Sequence, residues 1–150
     1  MRFLVQRVKE ASVEANQQLV GKIQKGYLVL IGITHTDTEK EADFLVNKLI
    51  NLRIFTDEND KMNLSIKDIN GSILSISQFT LYADSKKGNR PSFINAMKPD
   101  EASKLYDYFN QELSKYIEVN TGIFGTDMKV EIYNDGPVTI ILDSDELFKK

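Results

Sequence analysis

The run GYLVLIGI, residues 26–33, constrains the fold more than any other stretch of the chain. It is apolar at consecutive positions, so as a strand it has to be covered on both faces. Upstream, MRFLVQRVKEASV alternates apolar and charged residues from its second position. That pattern reads as strand over 2–8 and 11–15, with Phe3, Val5 and the aliphatic part of Arg7 on one face and Leu4 and Val8 partly on the other. QQLVGKI is a further strand, joined to 26–33 around Lys25-Gly26, so a meander is expected to open the fold.

After this β region the period changes. Ala42, Leu45, Val46, Leu49 and Leu52 fall at helical spacing, and Thr38 followed by Glu41 fits a capping box with an acidic first turn. TDENDKMNLS is a turn-rich connection, and GSILSISQFTLYA returns to strand with Ile73, Leu74, Ile76, Phe79 and Leu81. Pro99-Asp100-Glu101 starts a second helix whose buried stripe is Leu105, Phe109, Leu113 and Tyr116. Strands near 117–124, 127–133 and 137–143 close the chain. The expected class is α+β: a curved, barrel-like, antiparallel-rich sheet carrying two main helices. With no internal repeat and no linker composition, residues 1–150 are expected to form a single domain.

Composition narrows the function. The 150 residues hold no cysteine, so disulfides and thiolate metal sites are out of reach and the cytoplasm is the simplest location. No apolar run approaches a membrane span or the core of a signal peptide. A net charge of −3 argues against a broad polybasic surface but leaves room for a local patch, and SKKGNR, Ser85 to Arg90, is one. The same patch also suits a solvated loop tip. His35 is the one histidine, without HxxxH or HxH spacing, so neither a metal nor another cofactor is expected. A Ser-His-Asp triad would have to be drawn from His35, Ser77 and an aspartate. Phosphate loops of the GxGxxG or GxxxxGK[ST] kind are absent.

Two polar interruptions remain. SISQFTLYA places Ser77, Gln78, Phe79 and Thr80 where alternation stops, and such strand ends can aim backbone N–H groups at a ligand. NDGPVT, Asn134 to Thr139, sets Gly-Pro between two strand-like runs, although Pro supplies no ladder donor and Gly no side chain to pack.

SQFTLYA, KKGNRPSF, TGIFGTDM and NDGPVT, in this order and spacing, resemble the D-aminoacyl-tRNA deacylases of bacteria and most eukaryotes. VQRVKEASV and INLRIF look like that family too, and the similarity runs to about residue 143. The resemblance implies hydrolysis of the ester of D-aminoacyl-tRNA by a homodimer, with the acceptor end of tRNA carrying a D-amino acid or glycine as substrate. It further implies a cis Gly136-Pro137 bond, inserted with Thr139 from one subunit into the site of the other, where the Gly136 carbonyl takes the substrate ammonium and an L-side chain collides. D-Tyr, D-Phe and D-Asp would then all be accepted.

By the same resemblance Ser77, Gln78, Phe79 and Thr80 are the catalytic residues at a strand end, with oxyanion donors at Phe79 and Thr80 and with Gln78 a partner for the ribose or adenine edge. Phe124 and Met128 line the adenine pocket, although two such residues at a strand end are also ordinary core. Lys86, Lys87 and Arg90 would meet acceptor-end phosphates. Three other readings stay in view: a non-catalytic RNA-end binding module, a Ser-His hydrolase of small esters, and an editing domain for L-serine on threonine tRNA.

Overall fold

The computed structural model describes residues 1–148. Its first strand, β1 (Arg2–Ala15), runs unbroken through both N-terminal stretches. It turns at Asn16 and Gln17, whose φ values of 54° and 65° are those a two-residue type I′ hairpin requires. β2 (Gln18–Ile23) then pairs with Ala11–Ala15, and β3 (Gly26–Gly32) pairs with Arg2–Val8, both antiparallel. The expected meander is not what forms. β2 and β3 are successive partners of the long strand β1, because β1 is long enough to accept both in turn.

α1 (Glu39–Asn51) starts where the sequence signals it. The Thr38 hydroxyl accepts from the Lys40 N–H, and the Glu41 carboxylate accepts from the Thr38 N–H at 2.7 Å. Ala42, Leu45, Val46 and Leu49 are buried, while Leu52 is the half-buried C-cap. The turn-rich connection contains a short hairpin, β4 (Phe55–Thr56) with β5 (Met62–Leu64). β6 (Ser72–Ser77) then lies parallel to β3, and after α2 (Pro99–Ser114) β7 (Glu118–Thr121) lies parallel to β6. Parallel neighbours need crossover connections, and the segments holding α1 and α2 supply them. β8 (Met128–Asp143) returns antiparallel along nearly the whole of β1. The result is an α+β architecture, a nearly closed, barrel-like mixed sheet with two main helices.

The sheet has two apolar layers. Phe3, Val5, Tyr27, Val29 and Ile31 pack with Leu45, Leu49, Phe109 and Leu113 of the helices, and the Phe3 and Phe109 rings meet edge-on at 5.0 Å. Val8, Ala11, Val13, Ile23, Leu28, Leu74 and Ile76 form a second cluster. β1 feeds both layers because its pairing with β8 shifts register between Gln6 and Val8 and again between Val8 and Glu10. β3 is therefore covered on both faces. Each fully buried large aliphatic or aromatic side chain stabilises these layers by about 1.5–3 kcal/mol.

Three local expectations are corrected. The strand of GSILSISQFTLYA ends at Ser77, and Phe79–Tyr82 is a 3-10 turn. Tyr116 lies beyond the end of α2 and is 56% exposed, so the buried stripe is Ala102, Leu105, Tyr106, Phe109 and Leu113. The last two strands are one, with NDGPVT inside it. Among the described residues no helix is long and apolar enough to cross a membrane.

Candidate active site

Ser77 is the last residue of β6, opposite Ile31 of β3, and the Gln78 N–H still donates to the Ile31 carbonyl at 2.7 Å. There the chain leaves the ladder. Leu81 N–H donates to the Gln78 carbonyl and Ala83 N–H to the Thr80 carbonyl, the i to i−3 pattern of a 3-10 turn. The turn's first two N–H groups, those of Phe79 and Thr80, precede this bonding and are left over by it, as at any helical N-terminus. Two adjacent backbone donors at the end of a strand are the chemistry of an oxyanion hole.

The side chains of this turn are not built for covalent catalysis. Gln78 Nε2 donates to Thr80 Oγ1 at 2.5 Å, so one lone pair of the threonine oxygen is engaged by an amide that cannot act as a base. None of Ser77, Gln78, Phe79 or Thr80 carries a base that would take a hydroxyl proton. The Phe79 ring is 55% exposed and meets Phe93 at 5.1 Å in a T-shaped contact. His35 is exposed, and its Nε2 lies 2.6 Å from the Ile94 carbonyl oxygen. Replacing His35 by Ala is therefore expected to leave ester hydrolysis within about threefold of wild type, whereas a histidine general base would contribute roughly 10²- to 10⁴-fold. Steady-state rates of the two proteins on one ester substrate check this. Among the described residues no group of three or more His, Cys, Asp or Glu could hold a metal ion.

Phe124 and Met128 come to the same end of the sheet. β7 runs parallel to β6 with Thr121 opposite Ser75, and the Gly122 N–H donates to the Ser75 carbonyl at 3.3 Å. The 122–127 loop thus leaves the sheet two residues from Ser77. Phe124 is half-buried with its ring 5.9 Å from that of Tyr106. Met128 is half-buried, and its thioether covers Gly122 so closely that a Cβ there would lie 2.5 Å from the sulfur. Lys86, Lys87 and Arg90 project from a hairpin closed by reciprocal bonds between Asp84 and Ser92, at 2.7 and 2.8 Å, and all three are exposed.

Gly136 and Pro137 lie elsewhere. Val8 pairs with Asn134 and Gln6 with Thr139, so residues 135–138 stand opposite Arg7 alone and bulge from β8. This accounts for a Gly-Pro pair inside a strand: the missing proline N–H has no ladder partner to lose. The Asn134 side chain closes the bulge by accepting from the Val138 N–H at 3.0 Å and donating to the Val138 carbonyl at 3.3 Å. Arg7 Nε donates to the Asp135 carbonyl at 3.1 Å, and Arg7 Nη1 donates to the Ile54 carbonyl at 2.8 Å. Gly136 has φ +132°, its bond to Pro137 is cis, and both residues are exposed. Thr139, also exposed, accepts from Gln6 Nε2 at 3.3 Å.

In the sheet, β1 and β3 separate β8 from β6, about 14 Å at about 4.8 Å per strand. Along the strands, Thr139 shares a row with Gln6, Leu28 and Leu74, roughly 10 Å short of Ser77. One chain does not bring its two motifs together. Two cavities of about 440 and 420 Å³ are lined by Glu10, Lys22 and Tyr133 and by His35, Met97 and Tyr108 among others, and neither includes Ser77–Thr80 or Gly136–Pro137.

Arg7 and Asn134 were not singled out as site residues by sequence reasoning. Their signals were present: an arginine on the otherwise apolar inner face of β1, and an asparagine just before Gly-Pro, where its side chain can replace lost ladder bonds.

The family model described as D-Tyr-tRNA(Tyr) deacylase matches residues 4–143. A solved structure described as "c-Myc DNA Unwinding Element Binding Protein" is 42% identical, with a TM-score of 0.91 over 96% of this chain and 99% of that one. A second, described as a "probable eukaryotic D-amino acid tRNA deacylase", is 19% identical, with a TM-score of 0.81 over 94% and 97% of the two chains, and shares the fold.

Proposed function

The chain belongs to the D-Tyr-tRNA(Tyr) deacylase family, hydrolases of the ester bond of D-aminoacyl-tRNA, and from that premise we propose that it removes D-amino acids and glycine from tRNA by a substrate-assisted, metal-free hydrolysis in a homodimer. The observation that carries the mechanism is the pair of N–H groups left over at Phe79 and Thr80. They take the ester oxygen as it becomes negative. Water attacks the carbonyl carbon, and the ribose hydroxyl beside the ester relays the proton, accepting one from the water as it gives its own to the departing ribose oxygen. Gln78 reaches the ribose or adenine edge, and Phe124 and Met128 hold the terminal adenine, a ring face and a thioether suited to a flat base.

Chirality rests on the bulge of β8. Its distance from Ser77 in one chain supports a site completed by the partner subunit, with the bulge of one copy entering the turn of the other. The Gly136 carbonyl would hold the substrate ammonium while main chain at Gly136–Pro137, with Thr139 behind it, blocks the direction an L-side chain needs. Rejection is then steric, so D-Tyr, D-Phe and D-Asp are all accepted, and glycine enters as well. The cytoplasm, where aminoacyl-tRNA is used, is the place of action.

A nucleic-acid ligand is in keeping with the described role of the 42% identical neighbour. The charge here favours a short contact, since Lys86, Lys87 and Arg90 are a small cluster on a chain of net charge −3. Incubating the protein with D-Tyr-tRNA, L-Tyr-tRNA and L-Ser esterified to threonine tRNA tests the reading: release of D-Tyr alone supports it, no release with tRNA still bound favours an RNA-end binder, and release of L-Ser makes the chain an editing domain.

Two conditions sharpen this. Dialysis against EDTA, with Mg²⁺ restored to fold the tRNA, is expected to leave single-turnover hydrolysis intact, and a loss rescued by Zn²⁺ alone would refute the metal-free step. Affinity is expected to fall with salt at a slope of about −2, the value for two or three phosphates.

A further inference from the structure

Beside the Ser77–Thr80 turn the chain exposes apolar side chains that the core does not use. Phe79 is 55%, Phe93 38% and Ile94 74% exposed, and the two rings meet edge to face at 76°, a contact that covers one face of one ring and leaves the other faces open. The segment between them in sequence is the hairpin closed at Asp84 and Ser92, and this closure sets Phe93 at the foot of the loop whose tip carries Lys86, Lys87 and Arg90. Residues 85–92, SKKGNRPS, contain no acid, and the nearest carboxylate, Asp84, accepts from the Lys86 backbone N–H at 2.9 Å. Among the described residues no ion pair neutralises the three cations.

Aromatic faces at the foot of a loop with uncompensated cations at its tip are the two elements that bind single-stranded nucleic acid, one for bases and one for phosphates. A second copy reaching the turn with its 135–138 bulge would bring one carboxylate, Asp135, which Arg7 already holds at 3.6 Å, and so would not neutralise the three cations. A duplex offers phosphates but keeps its base faces stacked. We propose that Phe79 and Phe93 form a stacking platform for a base upstream of the terminal adenosine in the single-stranded 3′ end of the tRNA, with Lys86, Lys87 and Arg90 on the adjoining phosphates. This rests on the deacylase reading and adds a second nucleotide subsite to it.

The test uses D-Tyr esterified either to adenosine alone or to a cytidyl-cytidyl-adenosine trinucleotide, with wild-type and Phe93→Leu protein, together with fluorescence anisotropy of the labelled, unacylated trinucleotide. Phe93→Leu keeps apolar bulk and removes the ring face. Losing one base–aromatic stack is expected to raise KM for the trinucleotide ester, and its Kd, about tenfold, while kcat and the adenosine ester are unaffected. An equal KM for wild type and variant on the trinucleotide, an equal loss on both esters, or dissociation of the oligomer in light scattering would overturn the platform. If wild type cleaves neither ester, the deacylase reading fails, and the anisotropy comparison still decides the platform by itself.

Discussion

A D-aminoacyl-tRNA whose terminal ribose lacks the hydroxyl beside the ester is expected to be hydrolysed about 10³-fold or more slowly, within the range a positioned proton-transfer group contributes. The Ser77–Thr80 turn offers no substitute. Thr80 Oγ1 is engaged by the Gln78 amide, and the turn holds no histidine, lysine or chain-terminal amine that could deprotonate it. Thr80→Ala removes that acceptor and loosens the turn but leaves the backbone donors in place, so its loss is expected to stay within about 10²- to 10³-fold, the cost of disturbing an oxyanion site. Single-turnover rates on ribo- and deoxy-terminated substrate, with wild type and variant, separate the two effects. A covalent aminoacyl-Thr80 species in a quenched reaction, or full activity on the deoxy substrate, would overturn the mechanism.

Gly136→Ala is the second change with a large expected effect. At φ +132° an L-residue is strained whatever room it has, and here a Cβ would stand 2.8 Å from Val138 Cγ2 and 3.1 Å from Arg7 Nη2. Arg7 cannot simply step aside, because the same guanidinium bonds the Asp135 and Ile54 carbonyls. Backbone strain of this kind costs of order 1–3 kcal/mol. If it is relieved by moving the bulge, the proposed wall and the proposed ammonium acceptor move together. Turnover of D-Tyr-tRNA is expected to fall by about one to two orders of magnitude with the oligomer retained, and preference over L-Tyr-tRNA to shrink with it. Unchanged D-selective turnover in an intact oligomer would remove Gly136 from the site.

What the sequence made legible is what depends on near neighbours. Thr38 with Glu41 marks the start of α1 within one turn, and the double-faced run at 26–33 requires the two layers that cover β3. Distant partners defeat such reading. The alternation Phe79, Leu81 continues the strand pattern of β6, yet the ladder ends because Gln78 makes the last bond to β3 and Phe79 faces solvent. Tyr116 keeps helical spacing from Leu113 but falls after the helix has stopped at Ser114. β2 and β3 look like a meander until the length of β1 is known. At the site, Ser77–Thr80 could be picked out from pattern and resemblance. Arg7 stands out as an arginine on an apolar face, but its partners could not be read, since they are carbonyls 47 and 128 residues away. Nor could the separation of the two motifs, which depends on the strand order β8, β1, β3, β6.

The bulge at 135–138 has a consequence for the temperature dependence of selection. It is tethered at both ends by paired stretches of β8 and stitched internally by Asn134, so its backbone freedom is surrendered once, during folding. A mobile loop doing the same work would surrender about 1–2 kcal/mol per residue of conformational entropy at every encounter with substrate. With that cost met in folding, the discrimination proposed for the bulge would rest on a contact repulsion, an enthalpy, so the ratio of D to L rates should decline gradually on warming and collapse only when β8 itself separates from β1.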